Sequence, residues 1–139
     1  VAVYLYLADL CPDAGLAPRF DDPLRGPYLR WLAYYGSCFE PAVIDRAMKR
    51  DPAPASTSPY GDFDTMLRTL TEQLEHGPYL LGDRFTAADV LWGSALAWTT
   101  GFGLVPASPP IERYLQAVQS RPAMTRARTR DADLAGAQS

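Results

Sequence analysis

Arg30, Ala33, Tyr34, Ser37, Glu40 and Pro41 recur at steps of three or four residues. On a helix that spacing places them on one face. The residue types suit recognition more than bond-breaking: the hydroxyls of Tyr34 and Ser37 can hydrogen-bond a substrate, and the Arg30 guanidinium can hold an anionic group. The same pattern also fits a subunit interface or a solvated surface for Arg30 and Tyr34, and residue type leaves the two open. Trp98 and Phe102 add two rings one helical turn apart. They fit either the floor of an apolar pocket or a packed core.

Nucleophiles and metal ligands are scarce. A reactive cysteine needs a neighbouring base or another source of thiolate stabilisation. Nothing beside Cys38 supplies one, so it reads as a buried structural thiol, and Cys11 lies in a loop before Pro12. The chain contains neither C-x-x-C nor H-E-x-x-H, and its lone histidine, His76, reads as a helix-end cap. We therefore expect no metal and no tightly bound cofactor.

Composition narrows the class. With 139 residues, 47% hydrophobic and 21% charged, the chain is long enough for one domain with a real core. A net charge of −3 argues against a nucleic-acid binder. Arg121, Arg126, Arg128 and Arg130 cluster, but Asp131 and Asp133 follow, as in a solvated helix end. No apolar run approaches the ~18 residues of a membrane span, and no signal peptide is visible. Two cysteines make no disulfide framework. A cytoplasmic location is the expectation.

The elements that must position these side chains are all helical. VAVYLYLADL places Val3, Tyr6 and Leu7 on one face, and CPDAGLAPRFDDP ends it in a loop. Asp22-Pro23 reads as the start of a long helix, with Leu24, Tyr28, Trp31 or Leu32, Tyr35 and Phe39 facing the core. Gly36-Ser37 and Pro41 should bend or break that helix before it resumes to about Arg50. Asp51–Gly61, rich in proline and hydroxyl residues, reads as a mobile surface loop. Asp62 caps the next helix, which runs to about Glu75, with Gly77 beyond it as a left-handed cap. The helix after Thr86 is apolar nearly all round and should be central and buried, with Gly93 and Ser94 admitting a close neighbour. At its start Thr86 and Asp89 form a capping box, each satisfying an orphan backbone donor of the other. Pro109-Pro110 opens a further helix with Ile111, Tyr114, Leu115 and Val118 on its apolar face, Pro122 a short last one, and AGAQS should fray.

This order of segments, YLAD, DDPLRGPYLRWL, GPYLLGDRFTAADV and YLQAVQSRPAMTRA, resembles the C-terminal helical domain of bacterial glutathione S-transferases over residues 1 to about 128. The resemblance implies an all-α fold of five to six helices around a central buried helix, forming one domain over 1–139. Residues 1–9 would be the remainder of the helix that joins it to a thioredoxin-like domain. It implies that Thr86 and Asp89 are fold determinants. It implies a parent enzyme, a cytoplasmic detoxifying transferase, that adds the glutathione thiolate to a small apolar electrophile and works as a homodimer without nucleic acid or membrane. Val1–Asp9 and Leu24–Tyr35 would then lie near the two-fold axis.

In that family the thiol-activating residue and the glutathione-gripping residues belong to the thioredoxin-like domain, and no such β-α-β pattern occurs here. No catalytic residue is therefore assigned in this chain, which alone should be inactive. The resemblance places the electrophile against Arg30, Ala33, Tyr34, Ser37 and Glu40, with Trp98 and Phe102 below, and glutathione is then a co-substrate. A non-catalytic helical module for protein–protein association is the alternative. An isolated domain of this kind would leave Val3, Tyr4, Tyr6 or Leu7 partly exposed.

Overall fold

The computed structural model describes residues 1–136 apart from 52 and 55. The helices are α1 (Ala2–Leu10), α2 (Arg25–Tyr34), α3 (Glu40–Ala47), α4 (Phe63–Leu74), α5 (Ala87–Gly101), α6 (Pro109–Gln119) and α7 (Pro122–Gly136). A wide π turn, Tyr35–Phe39, joins α2 to α3 without a break. Counted as one, α2 and α3 make six helices among the described residues, and the only β pairing there is two isolated bridges, Tyr79 with Gly82 and Leu81 with Arg84.

The π turn is how the long helix accommodates Pro41. In a regular helix the proline ring would press on the carbonyl four residues back, and its missing N–H would orphan that carbonyl. Opening the turn lets the Glu40 N–H reach back to the Tyr35 carbonyl. The helix is neither broken nor ended at Gly36-Ser37. It stops at Ala47, earlier than the expected Arg50, and Lys49 takes a positive φ of 52°.

The N-terminal boundary of α2 also differs from expectation. Asp22 is not its N-cap, because the helix starts at Arg25 with Leu24 in the capping position. One carboxylate oxygen of Asp22 accepts the Leu24 N–H at 2.9 Å, and the other binds Arg84. The long-range pull of Arg84 thus holds Asp22 in a turn ahead of the helix. Asp62 does cap α4, accepting the Thr65 N–H at 2.7 Å. Beyond α4 the His76 ring nitrogen Nδ1 lies 2.8 Å from the Glu72 carbonyl.

Gly77 is not a left-handed cap. Its φ is not positive, and a Cβ there would lie 2.7 Å from the Gly82 Cα, so close backbone approach is what requires glycine. α7 is longer than the expected short helix and buries none of its residues. Of the expected fraying tail, 137–139 lie outside the described residues. So do Pro52 and Ala55 in the 51–61 loop, where the Tyr60 hydroxyl donates to Asp45 at 2.7 Å.

α5 is the axis of the domain, packed against α1, α2 and α6. Trp92 at its centre is fully buried and donates its indole N–H to the Trp31 carbonyl at 2.9 Å. Trp31, Tyr35 and Phe39 surround the Trp92 ring at centroid distances of 5.8, 5.5 and 4.8 Å. Gly93 lets α6 approach, since a Cβ there would stand 2.5 Å from the Val118 Cγ1. Ile111, Tyr114 and Val118 are the buried face of α6, with Leu115 half-buried beside them.

Candidate functional site

Two places on α5 concentrate polar and aromatic groups. At its first turn Thr86 and Asp89 form the capping box. The Asp89 carboxylate gathers four donors: the Thr86 N–H at 2.8 Å and hydroxyl at 3.1 Å on one oxygen, and the Leu80 N–H at 2.9 Å and Tyr114 hydroxyl at 3.2 Å on the other. Both Thr86 and Asp89 are fully buried. Burial pushes the Asp89 carboxyl up, against the pull of the Leu80 and Thr86 donors, and burial followed by the Asp89 charge lifts the Tyr114 phenol well above its ordinary range. With no opening to solvent, this cluster ties the 79–82 turn, α5 and α6 together and offers a ligand nothing.

The second place is a groove of about 570 Å³ between α1, the π turn, α3 and the outer face of α5. Tyr4, Tyr35, Phe39, Val43, Ile44, Ala95 and Trp98 line it, with Glu40, Ser94 and Thr99 as the polar side chains. Apolar and aromatic walls with a few polar groups are the usual make-up of a small-molecule site. The wide turn at 35–39 helps make it, because it lets Tyr35 and Glu40 face the same groove from positions five apart. Burial first, then the Glu40 and Tyr4 charges, holds the Tyr35 hydroxyl above its ordinary pKa, so it stays a neutral hydrogen-bonding group.

The structure divides the residues singled out from the sequence. Glu40 and Trp98 line the groove, and Phe102 packs at a ring distance of 4.7 Å from Trp98. Core packing of Trp98 and Phe102 does not occur, since they are 61% and 68% exposed. Arg30, Ala33, Tyr34 and Ser37 do not line this groove. Arg30 is exposed and lies over the Trp31 ring at 5.2 Å. Ala33 and Ser37 are exposed, and the Ser37 hydroxyl donates to the Ala33 carbonyl at 2.8 Å. Tyr34 is half-buried, with its hydroxyl donating to the Met66 carbonyl at 3.1 Å, which ties α2 to α4. The π turn is the reason. It adds a residue to one helical turn and rotates Glu40 away from the face that a regular spacing shares with Tyr34 and Ser37.

Cys38 is buried, with its sulfur 3.4 Å from the Pro59 carbonyl, and Cys11 is exposed. Among the described residues no cluster of three potential metal ligands occurs, and no helix is long and apolar enough to cross a membrane.

Sequence reasoning missed Asp9 and Arg25. The Arg25 guanidinium, 8% exposed, holds the Asp9 carboxylate through two bonds of 2.7 and 2.8 Å and donates to the Pro18 carbonyl at 3.0 Å. That pairing ties α1 to α2. The hydrogen bonds from Arg25 hold the Asp9 carboxyl below its ordinary pKa. One face of α1 is open: Val3, Tyr6, Leu7 and Leu10 are exposed, and an apolar groove of about 610 Å³ runs between Val3, Leu7, Leu16, Ala87 and Val90.

Residues 41–117, more than half of the chain, match the family described as glutathione S-transferase, C-terminal domain. The chain belongs to that family. No curated protein sequence matches it significantly. A glutathione transferase from Methylococcus capsulatus (Bath) superposes with a TM-score of 0.75 at 29% identity, over 94% of this chain and 66% of that one. BphK, a bacterial glutathione transferase solved as a ternary complex, gives 0.72 at 27% identity, over 91% and 64%. A glutathione transferase homologue from Sulfitobacter, solved with bound glutathione, shares the fold, with a TM-score of 0.66 at 22% identity over 91% and 64%. This chain therefore spans less than two thirds of the length of the first solved relatives it matches. The family membership fits the helix order, with α5 at the centre and the capping box at its start.

Proposed function

We propose that this chain is the electrophile-binding helical half of a glutathione transferase, and that the groove between Tyr35, Glu40 and Trp98 receives the electrophile. The observation that carries the reading is the exposed Trp98 ring in that groove, braced by Phe102, on a helix whose Leu91, Trp92 and Leu96 are buried. Its walls hold an apolar ring, while Tyr35, Ser94 and Thr99 orient polar substituents. The residue that makes the glutathione thiolate, and the residues that hold the peptide, lie outside this chain, in a thioredoxin-like domain docked along α1. The chain alone forms no conjugate. Glutathione is the co-substrate, no metal or resident cofactor takes part, and the working form is a cytoplasmic homodimer with α1 and α2 near its axis. The relatives' glutathione chemistry and the open apolar face of α1 support this reading.

The test is to titrate the ¹⁵N-labelled protein with 1-chloro-2,4-dinitrobenzene, without glutathione, and follow amide shifts. Shifts confined to Tyr35, Glu40, Ser94 and Trp98 are the expected result. Shifts centred on Arg30, Ala33 and Ser37, or none at all, overturn it.

A further inference from the structure

Glu40 is the one charged side chain among the residues that line the groove, and no ion pair engages it among the described residues. It is exposed at the first turn of α3. The nearby cations of the same long helix are committed elsewhere: Arg30 lies over Trp31, and Arg46 lies over the Phe63 ring at 4.1 Å. Tyr35, Phe39 and Trp98 line the same groove, Trp98 with most of its ring exposed. Aromatic faces carry a negative quadrupole and attract organic cations. A lone carboxylate at the mouth adds a full negative charge and supplies only hydrogen-bond acceptors.

We infer that the groove selects by charge: it takes aromatic or unsaturated small molecules bearing a cationic, ammonium-type substituent, and Glu40 turns away those bearing a carboxylate or sulfonate. This rests on the proposed use of the groove for the electrophile and adds the class of substrate. It reverses the expectation attached to Arg30, whose guanidinium would have favoured anionic groups but does not line the groove. Tyr35 fits the same selection, since its hydroxyl remains a neutral acceptor and donor beside Glu40.

Two probes of the same ring and opposite charge test it: 1-naphthylmethylammonium and 1-naphthoate, titrated at low ionic strength while amide shifts of the ¹⁵N-labelled protein are followed. A unit charge about 4 Å from another in water changes affinity by about fivefold, so the cation should bind about fivefold or more tighter than the anion. Glu40→Gln should cut the preference severalfold, to what the rings alone supply, Glu40→Arg should invert it, and 0.5 M salt should shrink it in the native protein. Both variants alter an exposed side chain, so the fold should be retained, and unchanged far-ultraviolet circular dichroism checks this. Equal binding of the two probes to the native protein, or a preference undiminished by Glu40→Gln, overturns the charge selection and leaves the groove standing as the electrophile site. Failure of both probes to bind overturns the groove and the selection together.

Discussion

The two ends of α5 are built on opposite plans. At the first turn Asp89 is sealed from solvent, and four donors converge on its carboxylate. Near the last turn Trp98 and Phe102 lean on each other in the open. The first end is complete within the chain. A buried charge is tolerated only when its acceptor sites are filled, and here they are. The second end leaves apolar area in water, a cost that a folded chain normally avoids and that marks a surface to be covered. One helix thus carries the anchor of the fold at one end and a receiving surface at the other.

The sharpest way to break that contrast is to remove the anchor. Asp89→Ala orphans two buried backbone donors and two hydroxyls, and should destabilise by about 3–5 kcal/mol in urea unfolding. An ordinary cap is worth only about 0.5–2 kcal/mol, and the burial of Asp89 is the reason for the difference. A loss under about 1 kcal/mol would show that this end is no anchor.

The second effect in size concerns α1. Arg25→Met leaves Asp9 half-buried and unpaired, and should cost about 2–3 kcal/mol. Pairing it with Asp9→Leu should recover part of the loss, because the Arg25 Nε has no hydrogen-bond partner among the described residues. Gly93→Ala drives a methyl into Val118 and should cost about 1–3 kcal/mol. Its unfolding midpoint would report whether Val118 and α6 can give way by the roughly 1 Å that separates this contact from ordinary van der Waals spacing.

The acid response separates the same regions by sign. Asp9 is held below its ordinary pKa, so its contribution is present above that ordinary value, about 4, and is lost as pH falls through the lowered one. Asp89 is raised by burial, so its proton favours the folded state, and stability falls as pH rises from the ordinary value to the raised one. Thermal unfolding between roughly pH 2 and 6 should show a shallower acid loss in Asp9→Asn than in the native protein. The smallest stability effect belongs to the open end. Trp98→Ala should move stability by no more than about 0.5 kcal/mol, as at other exposed sites, while weakening 1-naphthylmethylammonium binding severalfold. A large loss of stability there would mean that Trp98 supports the fold instead of a ligand.

Much of this is legible in the sequence. The all-helical class, the central α5, the Thr86–Asp89 box, the Asp62 cap and the tight Gly93 position all follow from short-range rules: periodicity, capping chemistry and side-chain size. The face shared by Glu40 with Tyr34 and Ser37 was misjudged, because a spacing argument assumes a regular helix. The cue was present in Pro41 and Gly36-Ser37, but it signals an irregularity without saying whether the helix kinks, ends or widens. Asp22 was misplaced for a related reason: its carboxylate answers to Arg84, 62 positions along the chain.

What the sequence determined by itself, then, is the all-helical class, the Asp62 and Thr86 caps and most of the stripes to be buried, because those depend on neighbours within about four residues. Only the tertiary structure decided that Asp89 takes donors from the 79–82 turn and from α6, that Arg25 finds Asp9, and that Trp98 faces outward although its helix is apolar on nearly every side. Those outcomes depend on which surfaces meet. That is set by the joint packing of six helices, which no local pattern contains.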